Sequence, residues 1–223
     1  MTKRMSDFLL ACENDDIKKV KLLVDLGADV EQTDEFRRTA MMYASKGGKA
    51  EIIQYLHDKK PGMIHAEYYM EKTAFLLACE HSNLETVKLL IDLGANFEKS
   101  DYCKRTGMMY ALKGGKTEII QYLHERNPRM IHAENFMEQT AFLQACKNAV
   151  RHQKALELLY ELGSDINHTD RNGTTCLMMV LSDKYLTKIF HDDLKKIIAY
   201  LLSKSKNIIH ATDSPKNSKI RIF

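Results

Sequence analysis

Apolar residues fall along this chain in two alternating patterns. One is a short, nearly continuous run behind a threonine, as in Ala40-Met41-Met42-Tyr43-Ala44 and Ala74-Phe75-Leu76-Leu77-Ala78. The other is spaced at helical intervals: Val20, Leu23 and Leu26, or Ile52, Ile53 and Leu56. The first pattern predicts a buried helix of about two turns, its threonine hydroxyl placed to accept a bond from an otherwise unpaired amide. Lys46-Gly47-Gly48 and His81-Ser82-Asn83 break that helix, and the second pattern predicts an amphipathic partner helix. Leu26-Gly27-Ala28, Leu93-Gly94-Ala95 and Leu162-Gly163-Ser164 close it, glycine supplying the left-handed turn of a helix end. Polar, turn-prone linkers follow, starting at Asp34, Asp101 or Asp170.

This unit recurs. Thr39–Cys79 returns 67 residues later as Thr106–Cys146, identical at 30 of 41 positions, and Phe8–Glu31 returns at the same distance as Phe75–Glu98. A looser period sits inside: Thr39, Thr73, Thr106, Thr140 and Thr175 are 34, 33, 34 and 35 residues apart. Self-similarity at such a period marks a stacked-repeat architecture.

Thr-Ala-Met-Met-Tyr-Ala, Thr-Ala-Phe-Leu-Leu-Ala-Cys and the Leu-Gly-Ala-Asp ending resemble the signatures of ankyrin repeats, over nearly the whole chain. The resemblance implies an all-α solenoid of stacked antiparallel helix pairs with β-turn or hairpin fingers at the junctions. It divides the chain into repeats at 1–33, 34–67, 68–100, 101–134, 135–169 and 170–212, with 213–223 a closing cap or a truncated seventh repeat. The first repeat begins at its helix, as an end cap would. Repeat five carries two extra residues near 150–152, and repeat six about nine near 185–193. The usual proline after the threonine is alanine at 40, 74 and 141, glycine at 107 and cysteine at 176. In the fingers the usual glycine is replaced by Arg37, Glu71, Lys104 and Glu138 and survives only as Gly173, so less regular turns are expected.

Composition narrows the function. A 223-residue chain with 44% hydrophobic residues and 28% charged ones folds, and its three prolines and ten glycines exclude a collagen-like design. No apolar run approaches the roughly 20 residues of a membrane span. The basic start lacks the apolar stretch of a secretory signal, which points to an intracellular, cytoplasmic protein. With 33 basic against 30 acidic residues, no polyanion partner is favoured.

Candidate chemistry is sparse. Cys12, Cys79 and Cys146 occupy one repeat position, where cysteine packs as a small hydrophobe, and only Cys103 is expected to be exposed. No paired-cysteine zinc pattern occurs. His57 and His124 are repeat equivalents, as are His65, His132 and His210. That repetition suggests a structural role, bonding backbone carbonyls near the second helix's end. Gly114-Gly115-Lys116-Thr117 mimics the tail of a phosphate-binding loop, but Tyr110 stands where its first glycine is needed. Its counterpart, Lys46-Gly47-Gly48-Lys49, reads as the tight loop between paired helices. No catalytic residue, cofactor or metal site is expected.

What remains is surface. Members of the family usually bind proteins with the concave face made by fingers and first helices. The fingers here carry Phe36, Tyr69, Tyr102 and Phe136 near Arg38 and Arg105, the residue types of interface anchors. Finger charge alternates: Arg37, Arg38, Lys104 and Arg105 are basic, Glu67, Glu71, Glu134 and Glu138 acidic. That pattern suits an alternating partner or neutralisation between neighbouring fingers, but not a nucleic-acid track. The expected activity is a non-enzymatic scaffold, a monomer binding another protein through Phe36, Arg38, Tyr69, Tyr102, Arg105 and Phe136, with Glu80, His81 and Lys113 from the first helices. The alternatives are a regulatory portion of a larger signalling protein, or a sensor of a small ligand or oligonucleotide using Tyr102, Lys104 and Arg105.

Overall fold

The computed structural model describes residues 5–182 and 191–204. The expected insertion near 185–193 falls largely outside them, and the tail 213–223 wholly so. The chain forms two compact units, Met1–Met130 and Ile131–Phe223.

The first unit holds four helix pairs: α1 (Asp7–Glu13) with α2 (Ile17–Asp25), α3 (Ala40–Gly47) with α4 (Ala50–Lys59), α5 (Ala74–His81) with α6 (Leu84–Asp92), and α7 (Gly107–Gly114) with α8 (Thr117–Arg126). The first helices stack α1 on α3, α3 on α5 and α5 on α7, while α2, α4, α6 and α8 form an outer layer. These first helices are buried almost all round because a neighbour packs on either side: Met41, Met42, Phe75, Leu76 and Met108 lose nearly all contact with solvent. The outer helices bury one stripe only, such as Ile52, Ile53 and Leu56 or Ile119, Ile120 and Leu123. Each such side chain contributes on the order of 2 kcal/mol of hydrophobic stabilisation. The stripe fails at Leu26, which follows α2 and is 74% exposed, because α2 packs only on α1 and α4 among the described elements.

The second unit holds α9 (Ala141–Lys147), α10 (Gln153–Glu161), α11 (Cys176–Ser182) and α12 (His191–Lys204). Here α9 packs on α10 and α11, and Tyr160 meets Tyr200 edge-to-face with centroids 5.8 Å apart. The two extra residues of repeat five lengthen the turn between α9 and α10.

Thr39, Thr73, Thr140 and Thr175 each accept a 3.3 Å bond from the amide three residues on, as expected of helix caps. Thr106 does not. Its buried hydroxyl has no partner, and α7 starts instead on the packing of Gly107. The Phe75 ring lies 2.7 Å from where a Cβ on Gly107 would stand. The histidine expectation also needs correction, since Nδ1 of His57 and of His124 is buried without a hydrogen-bond partner. The helix-end carbonyls of Leu56 and Leu123 already accept from Lys60 and Asn127 backbone N–H groups, at 2.9 and 3.0 Å.

The fingers are more regular than their sequence suggests. Arg37, Lys104 and Glu138 adopt the left-handed conformation (φ 65°, 58° and 57°) that Gly173 adopts at 73°. What holds them there is the Asp or Asn three residues earlier. Asp34 Oδ1 accepts from the N–H groups of Phe36 and Arg38, and Asp170 and Asn135 make the same pair of bonds. These side-chain bonds offset the roughly 1 kcal/mol cost of a left-handed residue with a Cβ. Only the finger with Tyr68 in place of Asp or Asn departs. There Met70 and Glu71 both have positive φ, between the two-residue strands β1 (Glu67–Tyr68) and β2 (Lys72–Thr73).

Candidate protein-binding surface

Two fingers carry a buried charge cluster at their base. Asp101, its side chain fully buried, accepts from Arg105 Nε at 2.8 Å, from the Arg105 backbone N–H at 2.8 Å and from the Tyr110 hydroxyl at 2.9 Å. Asp34, Arg38 and Tyr43 repeat the arrangement at 2.6, 2.7 and 2.8 Å. Burial works against ionising either carboxyl. The hydrogen bonds and the arginine charge prevail and hold both below the ordinary carboxylate range. Burial and the bond to Asp34 push the Tyr43 hydroxyl up to about 12, so it stays a neutral donor. Each arginine also lies over aromatic rings: Arg38 at 5.0 Å from Tyr43 and 5.1 Å from Phe36, Arg105 at 5.4 Å from Tyr110. Arg38 and Arg105 thus have their charge matched within their own finger, with about a third of each side chain exposed.

The finger tips differ. Phe36, Tyr69 and Tyr102 are 55%, 69% and 58% exposed around an open depression of about 590 Å³, lined also by Glu35, Glu67 and Glu71. The Tyr102 N–H donates to the Met70 carbonyl at 2.9 Å, tying these two fingers together through backbone. Lys99 bridges Glu67 (2.9 Å) and Glu71 (3.9 Å), so part of the finger charge is neutralised in place. In the second unit Phe136 is 42% exposed.

Beside the tips, a groove of about 310 Å³ runs over α3, α5 and α7. Met42 and Leu77 are apolar in it, Tyr43 and Tyr68 aromatic, and Arg38, Lys46, Lys72, Glu80, His81 and Lys113 polar. Glu80 is nearly buried and holds Lys113 at 2.7 Å and His81 at 3.6 Å. Of the residues expected at a contact surface, Arg38, Glu80, His81 and Lys113 meet in this groove, while Phe36, Tyr69 and Tyr102 meet at the tips. Lys46 and Lys72 were missed. Lys46 was findable, being the repeat equivalent of Lys113.

The other candidates resolve structurally. Cys12, Cys79, Cys146 and Cys176 are buried and Cys103 is partly exposed. Burial pushes the Cys12 thiol up to about 12 and Cys79 higher still. Cys146 and Cys176, on adjacent helices, share a hydrogen bond between thiols that spacing within one repeat position did not foretell. Gly115 and Lys116 form the tight turn between α7 and α8. Among the described residues no cluster suits a metal ion, and no helix is long and apolar enough to cross a membrane.

Stacked helix pairs joined by turn fingers, with an exposed aromatic tip surface, define a helical-repeat protein. A family profile for ankyrin repeats (three copies) matches residues 8–101 and again 98–170, and the chain belongs to that family. It is similar to the ankyrin repeat protein YahD of Escherichia coli strain K12, 25% identical over 175 residues, covering 77% of this chain and 87% of that one. It is also 31% identical over 121 residues to the mouse ankyrin repeat, SAM and basic leucine zipper domain-containing protein 1, covering 51% of this chain but only 24% of that protein. Among solved structures, it resembles a chain in the complex of the Bdellovibrio bacteriovorus predatory endopeptidase Bd0816 with immunity protein Bd3460. The TM-score is 0.71 at 24% identity, covering 92% of this chain and all of the other, a likeness of fold.

Proposed function

We propose that this chain is a non-enzymatic protein-binding module whose partner docks on the fingers and first helices of the first unit. The observation that carries the reading is the group of three exposed aromatic rings, Phe36, Tyr69 and Tyr102, around one depression. Large rings held in water on a backbone fixed by hydrogen bonds lose little entropy when a partner covers them. Membership of the ankyrin family, whose members are generally interaction modules, supports it, as does a fold neighbour drawn from a protein–protein complex. Phe136 offers the same chemistry on the second unit. The oligonucleotide alternative is weakened because Arg105 is already engaged by Asp101.

The test compares wild type with Phe36→Ser/Tyr69→Ser/Tyr102→Ser as bait in lysate of the source organism, after matching their melting curves. The expected outcome is a protein retained by wild type and lost by the triple variant. Equal retention by both would remove the tips from the interface.

A further inference from the structure

We infer that the groove over α3, α5 and α7 is a carboxylate-binding subsite that takes an acidic segment of the partner protein, gripped by Lys46 and Lys72 beside His81. The inference deepens the protein-binding reading and rests on it.

Four cations and one carboxylate line this groove. Arg38 is matched by Asp34 and Lys113 by Glu80, which leaves Lys46 and Lys72 with no carboxylate partner among the described residues. Lys72 Nζ sits 5.9 Å from the ring centroids of both Tyr68 and Tyr110, so aromatic faces steady its stem without neutralising it. The groove therefore carries an excess of two positive charges over a partly apolar floor of Met42 and Leu77. His81 registers that excess. Burial first, then the charges of Lys46, Lys113 and Lys72, outweigh the pull of Glu80 and hold its imidazole below the ordinary value.

The chemistry selects a carboxylate on a peptide over a phosphate backbone. A phosphate chain needs a continuous track of cations, whereas here the cations flank the nearly buried carboxylate of Glu80 and the finger tips nearby carry Glu35, Glu67 and Glu71. A single acidic side chain fits between Lys46 and Lys72 while its apolar neighbours rest on Met42 and Leu77. Binding partly neutralises the lysines, so the His81 pKa rises and the complex takes up a fraction of a proton. Affinity accordingly increases as pH falls toward 6. The charged groups facing His81 in this process are Lys46 from α3, Arg38 and Lys72 from the fingers, Glu80 from α5 and Lys113 from α7.

The experiment uses the full chain and a fluorescent peptide of alternating glutamate and leucine, read by anisotropy at low salt. A glutamine counterpart and an oligothymidine strand of equal length serve as comparisons. The glutamate peptide is expected to bind, with about tenfold weaker binding both for the glutamine peptide and for the Lys46→Gln/Lys72→Gln variant. Lys46 and Lys72 make no buried ion pair, so the variant should melt like wild type. His81 followed by NMR should titrate at higher pH in the presence of the glutamate peptide. Absent binding, equal binding of the two peptides, an unaffected variant, or an oligothymidine strand that competes as well would each overturn the inference. A partner released by the triple aromatic variant but still held by Lys46→Gln/Lys72→Gln would leave the protein-binding reading standing and remove this subsite alone.

Discussion

At the scale of single residues, the most consequential group is a carboxylate. Asp101 has a fully buried side chain, four hydrogen-bonding contacts from Arg105 and Tyr110, and no water to fall back on if one is lost. Asp101→Asn leaves Arg105 short of its counter-charge and should cost about 2 kcal/mol, because Arg105 remains a third exposed and can partly rehydrate. Tyr110→Phe removes one hydrogen bond and should cost about 1 kcal/mol. The carboxyl is depressed below its ordinary 3.8 in the folded state. Its contribution is therefore complete above that pH and disappears as pH falls through 3.8 toward the folded value. Urea unfolding from neutral pH downward should show wild type and Asp101→Asn converging only in that acid range. Residue identity made much of this visible in advance: the arginines, tyrosines and aspartates stand 67 residues apart. It did not show that the arginines are spent inside their own fingers. Whether an arginine faces a partner or a buried aspartate four residues away depends on how a turn folds back, and the turn was misjudged.

At the scale of elements, the helices were legible and the spacing between them was not. Period and caps predicted eleven of the twelve described helices as pairs, because alternation of continuous and spaced apolar runs directly reflects burial on all sides or on one. The fingers were expected to loosen without glycine, yet Asp34, Asn135 and Asp170 hold their turns through side-chain acceptors. Local hydrogen bonding overrode conformational preference. A second case concerns two loops of nearly identical sequence. At Gly114 a Cβ would run into the Glu80 carbonyl, so α5 and α7 meet backbone to backbone, whereas at its equivalent Gly47 a Cβ would meet only the flexible Lys49 side chain. Gly114→Ala should then lower the melting temperature measurably, by an amount corresponding to about 2 kcal/mol, and Gly47→Ala should leave it nearly unchanged. Thermal melts of the two variants side by side decide the matter. No pattern within Lys-Gly-Gly-Lys distinguishes them, since the difference lies in what the next repeat brings opposite.

At the scale of the molecule, the smaller period of about 34 residues describes the backbone and the larger one of 67 describes the chemistry. The Asp–Arg–Tyr cluster occurs in the fingers of repeats two and four, and the finger between them has Tyr68, Lys72 and Leu77 at the same places. The groove of Lys46, Lys72 and Lys113 needs one finger of each kind, which is why neither repeat alone announces it. Carbonyls of Met70 and of Met137, again 67 residues apart, each receive the N–H of the following finger. Heredity inherits the same arithmetic. Recombination between the two near-identical tracts removes Thr39 to Arg105 and joins Arg38 to Thr106, which sets Asp34, Arg38 and Tyr110 together and puts α7 where α3 was. The shortened chain should still unfold cooperatively, while excision of a single repeat would break a cluster. Gain and loss of length in this lineage then proceeds by twos.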